Sequence, residues 1–215
     1  MDRIIERFRR LDTTCVSDAM DKLGIECCAY GIKPVQFGYK ICGRAFTVHY
    51  APCGAVKGTV GDFLDDVKPG EVVVIDNAGR DQCTVWGDLM AQTAKEMRIE
   101  GTVINGVCRD IPVVLACGYP IFSKGAYMRT GKDRVYVDAV NGPVTLSDVQ
   151  VYPGDIILGD DSGVVVIPRS KEEEVIGIAE MIDQKEQEII ELVKSGHTLK
   201  DAREMTGYHH LQAKQ

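Results

Sequence analysis

The stretch that decides the fold runs from residue 71 to residue 123 and has the sequence EVVVIDNAGRDQCTVWGDLMAQTAKEMRIEGTVINGVCRDIPVVLACGYPIFS. Short apolar runs alternate in it with longer segments of helical periodicity, which predicts strands separated by helices. The expected strands are 72–76, 101–105 and 120–123, and the expected helices are 86–98 and 110–117. This β-α-β-α-β order indicates parallel pairing, because a helical crossover returns the chain to the same end of a sheet.

Short strands bounded by turn signals flank this segment on both sides. They are expected at 39–50, 135–140, 144–146, 149–152, 156–158 and 164–168. A Pro-Gly-acid turn precedes a strand twice, at 69–71 and 153–155, and marks two equivalent turn-strand units. The predicted fold class is α/β, with mixed sheets around the central segment. The acidic stretch 160–163 is predicted to be a hairpin turn, because it lacks the further oxygen ligands of a calcium loop.

Further helices are expected at 2–10, 15–23, 59–67 and 171–195. Thr13 or Thr14 is the expected cap of the second helix, and Gly24 ends it. The last helix is amphipathic, with an apolar stripe formed by Val175, Ile178, Ala179, Ile182 and Ile189. We expect one domain over residues 1–195. The tail 196–215, including His209-His210, is expected to be weakly ordered.

Composition and charge exclude several classes of protein. The chain has 215 residues, of which 45% are hydrophobic, and this suits one domain with its own core. No apolar run reaches the roughly 18 residues of a membrane-spanning helix, and the N-terminus lacks an apolar signal core. A cytoplasmic protein without a membrane partner is therefore expected. The net charge of −7 and the lack of basic stripes argue against a nucleic acid partner.

The eight cysteines form no C-x-x-C pair and no cluster with zinc-finger spacing. In a cytoplasmic chain they are expected to be reduced and mostly buried. Cys108 adjoins Arg109 and is a candidate for an activated thiol, but no histidine lies near it in the sequence to activate it.

Three charged residues stand at loop ends of the central segment. Twenty residues separate Asp88 from the pair Arg109-Asp110. That is about one helix plus one strand, so both carboxylates can return to the same end of the sheet. Two carboxylates and a guanidinium suit an oxygen-ligated Mg²⁺ and an anionic substrate. Singly, Asp110 could be a helix N-cap, Asp88 a partner of the helix dipole and Arg109 a solvated charge.

The chain resembles the RraA-like family over about residues 12–195. The resemblance rests on these stretches: 14–20 (TCVSDAM), 42–45 (CGRA), 69–71 (PGE), 85–88 (VWGD), 107–110 (VCRD), 120–122 (PIF), 153–155 (PGD) and 159–164 (GDDSGV). Its sharpest element is the family's Asp-x20-Arg-Asp motif, complete here. The family includes class II 4-hydroxy-4-methyl-2-oxoglutarate / 4-carboxy-4-hydroxy-2-oxoadipate aldolases and the regulator of ribonuclease E activity A. The resemblance implies a swivelling β/β/α domain assembled as a homotrimer or a dimer of trimers.

The resemblance also implies roles for individual residues. Asp110 would ligate a divalent metal, Mg²⁺ or Mn²⁺, and Asp88 would hold the metal through a water molecule. Arg109 would contact the pyruvoyl oxygen of the substrate. Backbone N–H groups at the helix start, from Gly87 and Asp88 to Leu89 and Met90, would bind the substrate carboxylate.

One metal-site residue is implied to come from a neighbouring subunit. In the aldolases a glutamate of that subunit's C-terminal helix helps hold a metal water. Glu186 is the candidate in this chain, with Glu188 as the alternative register.

The implied function is a metal-dependent pyruvate aldolase with oxaloacetate decarboxylase activity, acting on a small 2-oxo acid. Breaking the C–C bond leaves pyruvate enolate, whose oxygen needs a Lewis acid and a fixed cation. Lys124 is a candidate for Schiff-base chemistry, although a surface lysine is the simpler interpretation. The alternative function is a non-catalytic acidic module that regulates a ribonuclease or another basic protein. Methyltransferase activity is disfavoured, because the turn after residue 76 is not glycine-rich.

Overall fold

The central segment forms a parallel sheet in the computed structural model, which describes residues 2–55 and 57–208. Strands β3 (Val72–Asp76), β4 (Gly101–Cys108) and β5 (Ile121–Ala126) pair in parallel. Helices α3 (Asp88–Glu96) and α4 (Ile111–Cys117) connect them. The predicted β-α-β-α-β order is confirmed. β4 continues beyond its predicted end, because it resumes pairing with β5 after an irregularity between Ile104 and Val107.

The remaining strands extend this sheet and add a small second one. They are β1 (Lys33–Pro34), β2 (Ile41–Pro52), β6 (Val135–Val140), β7 (Val144–Leu146), β8 (Val149–Val151), β9 (Ile156–Asp160) and β10 (Gly163–Ile167). In the described residues the main sheet has eight strands, in the order β1-β5-β4-β3-β2-β9-β10, and β6 also pairs with β2. β2 is parallel to β3 but antiparallel to β6 and β9, so the sheet is mixed. Lys33 of β1 donates a hydrogen bond to the Ser162 carbonyl beside β10, so the sheet nearly closes on itself.

The sheet is buried on both faces, and β3 shows how. Its side chains alternate between two apolar clusters, since successive residues of a strand point to opposite faces. Val73 and Ile75 pack with α3 and α4, whereas Val72 and Val74 pack toward β7 and β8. A third cluster joins β9 and β10 to the terminal helices α1 (Arg3–Phe8), α2 (Thr13–Lys22) and α5 (Glu172–Lys194).

Two features of the predicted helices need correction. The cap of α2 is Asp12, whose carboxylate accepts a hydrogen bond from the Cys15 N–H at 2.7 Å, rather than Thr13 or Thr14. The helix predicted at 59–67 is a single short 3-10 helix, Asp62–Asp66. No helix within the described residues is both long and apolar enough to cross a membrane.

Residues 199–206 of the tail form a helix, where the sequence suggested weak order. Helix α6 (Leu199–Thr206) is capped by Thr198, whose hydroxyl accepts a hydrogen bond from the Asp201 N–H. Ala202 is fully buried where α6 packs against α5. Helix capping and this packing outweigh the polar composition that suggested weak order. The pair His209-His210 lies outside the described residues.

Asp160 fastens the β9–β10 hairpin to α2. The hairpin turn predicted at 160–163 is confirmed. The Asp160 carboxylate accepts hydrogen bonds from the Thr13 N–H at 2.8 Å, the Thr13 hydroxyl at 2.7 Å and the Ser162 N–H at 2.8 Å. Burial alone would raise the pKa of Asp160, but the hydrogen bonds from Thr13 and Ser162 outweigh it and lower this pKa.

We expect Asp160→Asn to destabilise the fold at neutral pH and to flatten its acid dependence. The native pKa lies below the usual 3.8. The stabilisation from Asp160 is therefore complete above that value and is lost as the pH falls through the native pKa. Denaturant unfolding at pH 7, 5 and 3 measures the effect. Asp148→Asn, an exchange at an exposed carboxylate, is the control. Identical pH profiles for Asp160→Asn and the wild type would contradict this account.

Candidate active site

The predicted charged residues meet at the carboxyl ends of β3 and β4. The chain enters α3 through Trp86 and Gly87, and it leaves β4 through Arg109 and Asp110. The Arg109 N–H donates to the Trp86 carbonyl at 3.0 Å, which ties these two connections together. The carboxyl ends of parallel strands are the usual ligand-binding edge of an α/β sheet.

The carboxylate of Asp110 reaches across to the first turn of α3. Its Oδ2 atom accepts a hydrogen bond from the Asp88 N–H at 3.2 Å and lies 3.3 Å from Arg109 Nε. Asp110 has φ 57° and stands at the N-cap position of α4, yet its side chain makes no capping hydrogen bond there. Asp110 therefore occupies the N-cap position of α4, as the simpler interpretation predicted, but its carboxylate does not cap that helix. Among the described residues nothing donates a hydrogen bond to its Oδ1 atom, which is free for a ligand.

Gly87 makes this close approach sterically possible. A Cβ atom at residue 87 would lie 2.7 Å from Asp110 Oδ2 and 3.1 Å from Arg109 Nε. Both distances are shorter than a van der Waals contact. The backbone of Gly87 is extended, with φ −145° and ψ −164°, so the need for glycine comes from space and not from conformation.

The first turn of α3 presents backbone donors beside these charges. The Leu89 N–H donates to Oδ1 of Asp88 at 2.8 Å. The Met90 N–H has no acceptor among the described residues. Of the N–H groups of Leu89 and Met90, that of Met90 is open and that of Leu89 is held by a carboxylate that a ligand could replace. The roles of Leu89 and Met90 remain predictions.

A cavity of about 490 Å³ opens over Gly87 and Asp88. Its walls come from three parts of the chain: 58–62, 84–90 with Arg109, and Thr130 with Lys132. No acceptor in the described part of the chain engages the terminal nitrogens of Arg109. Trp86 also lines the cavity, and its indole stacks on Tyr119 with ring centroids 5.9 Å apart. The volume lies within the range typical of small-ligand sites, about 300–1,000 Å³.

Sequence reasoning missed Thr130 and Lys132. The loop that carries them reaches the cavity because Thr130 forms a parallel bridge with Thr84, and the Thr84 N–H donates to the Arg129 carbonyl at 3.0 Å. The hydrogen bond between Thr84 and Arg129 joins residues 45 apart in the sequence, and nothing local to either segment predicts it. Gly131 lies against the Thr84 carbonyl and was the available signal of a close backbone approach.

The other nucleophile candidates lie elsewhere. Cys108 is buried and contacts Ser123, and burial raises the pKa of its thiol, which opposes an activated cysteine. All eight cysteines are free and most are buried, as predicted. Lys124 is exposed and does not line the cavity.

Glu186 lies on α5, in a different layer from the Asp88–Asp110 site of its own chain. Its carboxylate accepts a hydrogen bond from the Tyr208 hydroxyl at 3.2 Å. Glu188 instead pairs with Lys185 at 2.6 Å. Neither glutamate joins the Asp88–Asp110 site from within the same chain.

Asp88 and Asp110 form a small oxygen donor set. Within residues 2–55 and 57–208, no group of three or more His, Cys, Asp or Glu side chains is placed to hold a metal ion. Zinc sites usually need three or four protein ligands, whereas Mg²⁺ keeps several waters and binds through one or two carboxylates. Two carboxylates, with Oδ1 of Asp110 free of hydrogen bonds from the described residues, therefore fit Mg²⁺ or Mn²⁺ better than zinc.

With this geometry established, comparison with known proteins identifies the family. Residues 13–166 match the family model RraA-like, described as Aldolase/RraA. The chain therefore belongs to the RraA-like family, and its mixed α/β fold is the fold of that family.

Three similar proteins illustrate the range of this family. A Halalkalibacterium halodurans protein named "Putative 4-hydroxy-4-methyl-2-oxoglutarate aldolase" is 36% identical over 80% of each chain. Protein DlpA of Legionella pneumophila is 40% identical over 95% of this chain, which spans only 34% of DlpA. The crystal structure of Streptomyces coelicolor RraAS2, described as an unusual member of the RNase ES inhibitor RraA protein family, has a TM-score of 0.81 at 27% identity. That match covers 87% of this chain and 95% of RraAS2.

We expect Gly87→Ala to disable the site without unfolding the protein. The added methyl group must displace the side chains of Asp110 and Arg109 away from residue 87, because it would overlap with both. A displacement of about 1 Å at a catalytic group can cost on the order of 100-fold in rate. Pyruvate release and thermal unfolding are the two measurements. Gly177→Ala is the matched control, because a Cβ there contacts nothing and alanine favours the helix. Full activity in Gly87→Ala would show that the close approach at Gly87 is not needed.

Proposed function

We propose that the protein is a divalent-metal-dependent pyruvate aldolase that cleaves 4-hydroxy-4-methyl-2-oxoglutarate-type 2-oxo acids and also decarboxylates oxaloacetate. The observation that carries this proposal is the position of Asp110. Its carboxylate is held by the Asp88 N–H and Arg109 Nε above a glycine, with Oδ1 free. A pure binding surface has no need of such an arrangement. The aldolase names of several relatives support the same conclusion.

Arg109 stabilises the charge that develops during the reaction. Cleavage of the bond between C3 and C4 leaves its electron pair on pyruvate, as an enolate. The terminal nitrogens of Arg109 have no acceptor in the described residues, so both can donate to the enolate oxygen. A fixed guanidinium in a partly enclosed cavity interacts more strongly with the enolate than with the neutral carbonyl.

Asp88 is the proposed base for the hydroxyl proton. Its Oδ1 atom accepts from the Leu89 N–H, while no described residue donates to its Oδ2 atom. Asp88 lines the cavity, so Oδ2 can take the proton from the C4 hydroxyl, directly or through a water. Loss of that proton lets the C4 oxygen become the carbonyl of the second product, and the enolate then takes a proton at C3, from protonated Asp88 or from water, to give pyruvate.

Asp110 and Asp88 would hold Mg²⁺ or Mn²⁺, Asp110 directly and Asp88 through water. When bound, the metal supplies a Lewis acid for the pyruvoyl oxygens. The open N–H at Met90 and the start of α3 would receive the substrate carboxylate, since a helix N-terminus favours an anion. These groups orient the substrate so that its pyruvoyl end faces Arg109.

We also propose that the site is completed at a boundary between subunits of a homotrimer or a dimer of trimers. Leu89 and Met128 are large apolar side chains that are each 76% exposed. Leu89 lines the cavity and Met128 lies two residues before Thr130. Exposed apolar groups beside a site often mark a surface that a protein covers. Glu186 of a neighbouring subunit is the proposed additional group at the metal.

Arg109→Ala should abolish nearly all pyruvate release while the protein stays folded. One such transition-state donor typically contributes on the order of 10²–10³ in rate. Arg109→Lys should recover little, because it keeps the charge but loses the planar fork. The loss should be in kcat. The assay couples pyruvate release to a dehydrogenase, with 4-hydroxy-4-methyl-2-oxoglutarate and oxaloacetate as substrates. Wild-type turnover by folded Arg109→Ala would overturn the proposed site.

The same assay separates metal from Schiff-base chemistry. EDTA should stop pyruvate release, and Mg²⁺ or Mn²⁺ should restore it. Asp110→Ala should act through weaker metal binding and be partly rescued by high Mn²⁺. Full activity in EDTA, with borohydride trapping of substrate at Lys124, would replace the metal mechanism.

Two inactive variants should complement each other if the site spans two subunits. Arg109→Ala lacks one side of the site and Glu186→Gln lacks the other. Co-expressed chains form some boundaries with both sides intact, so part of the activity should return. The control pairs Arg109→Ala with Asp110→Ala, which damage the same side and should not complement. Glu186→Gln that is fully active alone would remove Glu186 from the site.

A second candidate function is a non-catalytic acidic module that binds a basic partner such as a ribonuclease. The similarity to RraAS2 and the net charge of −7 favour it. It predicts that Arg109→Ala changes nothing, and that binding to a basic partner weakens steeply with salt. This candidate becomes the stronger one if the wild-type protein releases no pyruvate from either substrate.

A further inference from the structure

We infer that Lys132 binds the second carboxylate of a dicarboxylic substrate and thereby sets the preference of this site for diacids. This inference rests on the proposed function, because it assumes that the pyruvoyl end lies at Arg109. Lys132 lines the same cavity as Arg109 and is supplied by the loop after β5. It lies outside the Asp-x20-Arg-Asp motif.

The loop that carries Lys132 is held in place by its own hydrogen bonds. The Lys132 N–H donates to the Thr130 hydroxyl at 3.2 Å. The Arg134 guanidinium donates to the Thr130 carbonyl at 3.1 Å and to the Lys132 carbonyl at 3.3 Å. Gly131 packs against the Thr84 carbonyl, and Thr130 bridges to Thr84. The backbone of Lys132 is therefore fixed relative to the segment around Thr84 that leads into Asp88.

Lys132 is also a cation without a counterion. Among the described residues no carboxylate lies within 4 Å of its ammonium group. The neighbouring charges are engaged otherwise: Lys57 pairs with Asp133 at 3.2 Å, and Arg134 donates to backbone carbonyls. A cation at the wall of a cavity, with no partner in the chain, is available to an anionic group of the ligand.

The charges around the cavity fit a ligand with two anionic ends. Its cationic side chains are Arg109 and Lys132, and its anionic ones are Asp62 and Asp88. Asp88 belongs to the catalytic group, which leaves Asp62 as the remaining negative charge on the wall. A 2-oxo acid with one carboxylate uses the start of α3 and Arg109. Only a second carboxylate gives Lys132 a partner.

Calorimetry with two ligands of equal chain length tests this inference. 2-Oxopentanoate and 2-oxoglutarate differ in the distal carboxylate, and neither has the C4 hydroxyl that cleavage requires. Both are titrated into the full chain with Mg²⁺ present. The wild type should bind 2-oxoglutarate more tightly. Lys132→Ala should lower the affinity for 2-oxoglutarate roughly 10-fold, which is the lower end for loss of a charged hydrogen bond. The affinity for 2-oxopentanoate should not change.

Three further variants sharpen the interpretation. Lys132→Arg should keep most of the preference, and Lys132→Glu should reverse it. Lys200→Ala is the control, because Lys200 is exposed on α6 and does not line the cavity. With 4-hydroxy-4-methyl-2-oxoglutarate as substrate, Lys132→Ala should raise KM and leave kcat nearly unchanged, since contact with the distal carboxylate is the same before and during bond cleavage.

The outcomes separate this inference from the proposed function. If Lys132→Ala weakened the binding of both ligands equally, Lys132 would be a structural residue and the inference would be overturned. Unchanged binding of both ligands would also overturn it. The inference would likewise be overturned if the wild type bound neither ligand. A wild type that prefers 2-oxoglutarate through Lys132 but releases no pyruvate would support the inference and contradict the aldolase proposal.

Discussion

The carboxylate of Asp110 links the two helix starts that form the site. It stands before α4, but its Oδ2 atom accepts the N–H of Asp88 at the start of α3 and lies beside Arg109 Nε. To reach this position its backbone takes a left-handed conformation, which costs about 1–2 kcal/mol for an L-residue, less for aspartate. A hydrogen bond to a charged group contributes about 1.5–3 kcal/mol, so the contact can offset that strain. The missing side chain of Gly87 makes the contact possible.

The parallel sheet turns this local contact into a site. β3 and β4 end side by side, so the chain segments that follow them meet even though Asp88 and Asp110 are distant in sequence. The segment after β5 then joins through the bridge between Thr130 and Thr84. The segments after these three strands thus line one cavity, and residues 58–62, which follow β2, complete its wall. The buried strands hold their ends rigidly, while the loops carry the polar groups.

Membership of the RraA-like family fixes the fold of the chain but not its chemistry. Similar proteins carry both aldolase and RNase-inhibitor names. A shared fold can host different functions, so the difference must lie in particular residues and not in the sheet. Here the candidates are the free Oδ1 of Asp110, the uncommitted nitrogens of Arg109 and the ammonium of Lys132. DlpA, which is about three times as long as this chain, shows that the same unit can form part of a larger protein.

The sequence alone determined the central architecture, because it depends on local periodicity and on simple topology. Alternating apolar and helical segments predicted β3 to β5 and their helices, and helix-plus-strand spacing predicted that Asp88 and Asp110 would meet. Tertiary structure decided the rest. The orientation of Asp110 away from α4 depends on the Asp88 N–H across the site. The order of α6 depends on its packing against α5. The position of Lys132 depends on the bridge between Thr130 and Thr84. Each of these features depends on residues that are distant in sequence. Local sequence patterns do not predict such contacts, because only folding brings the residues together.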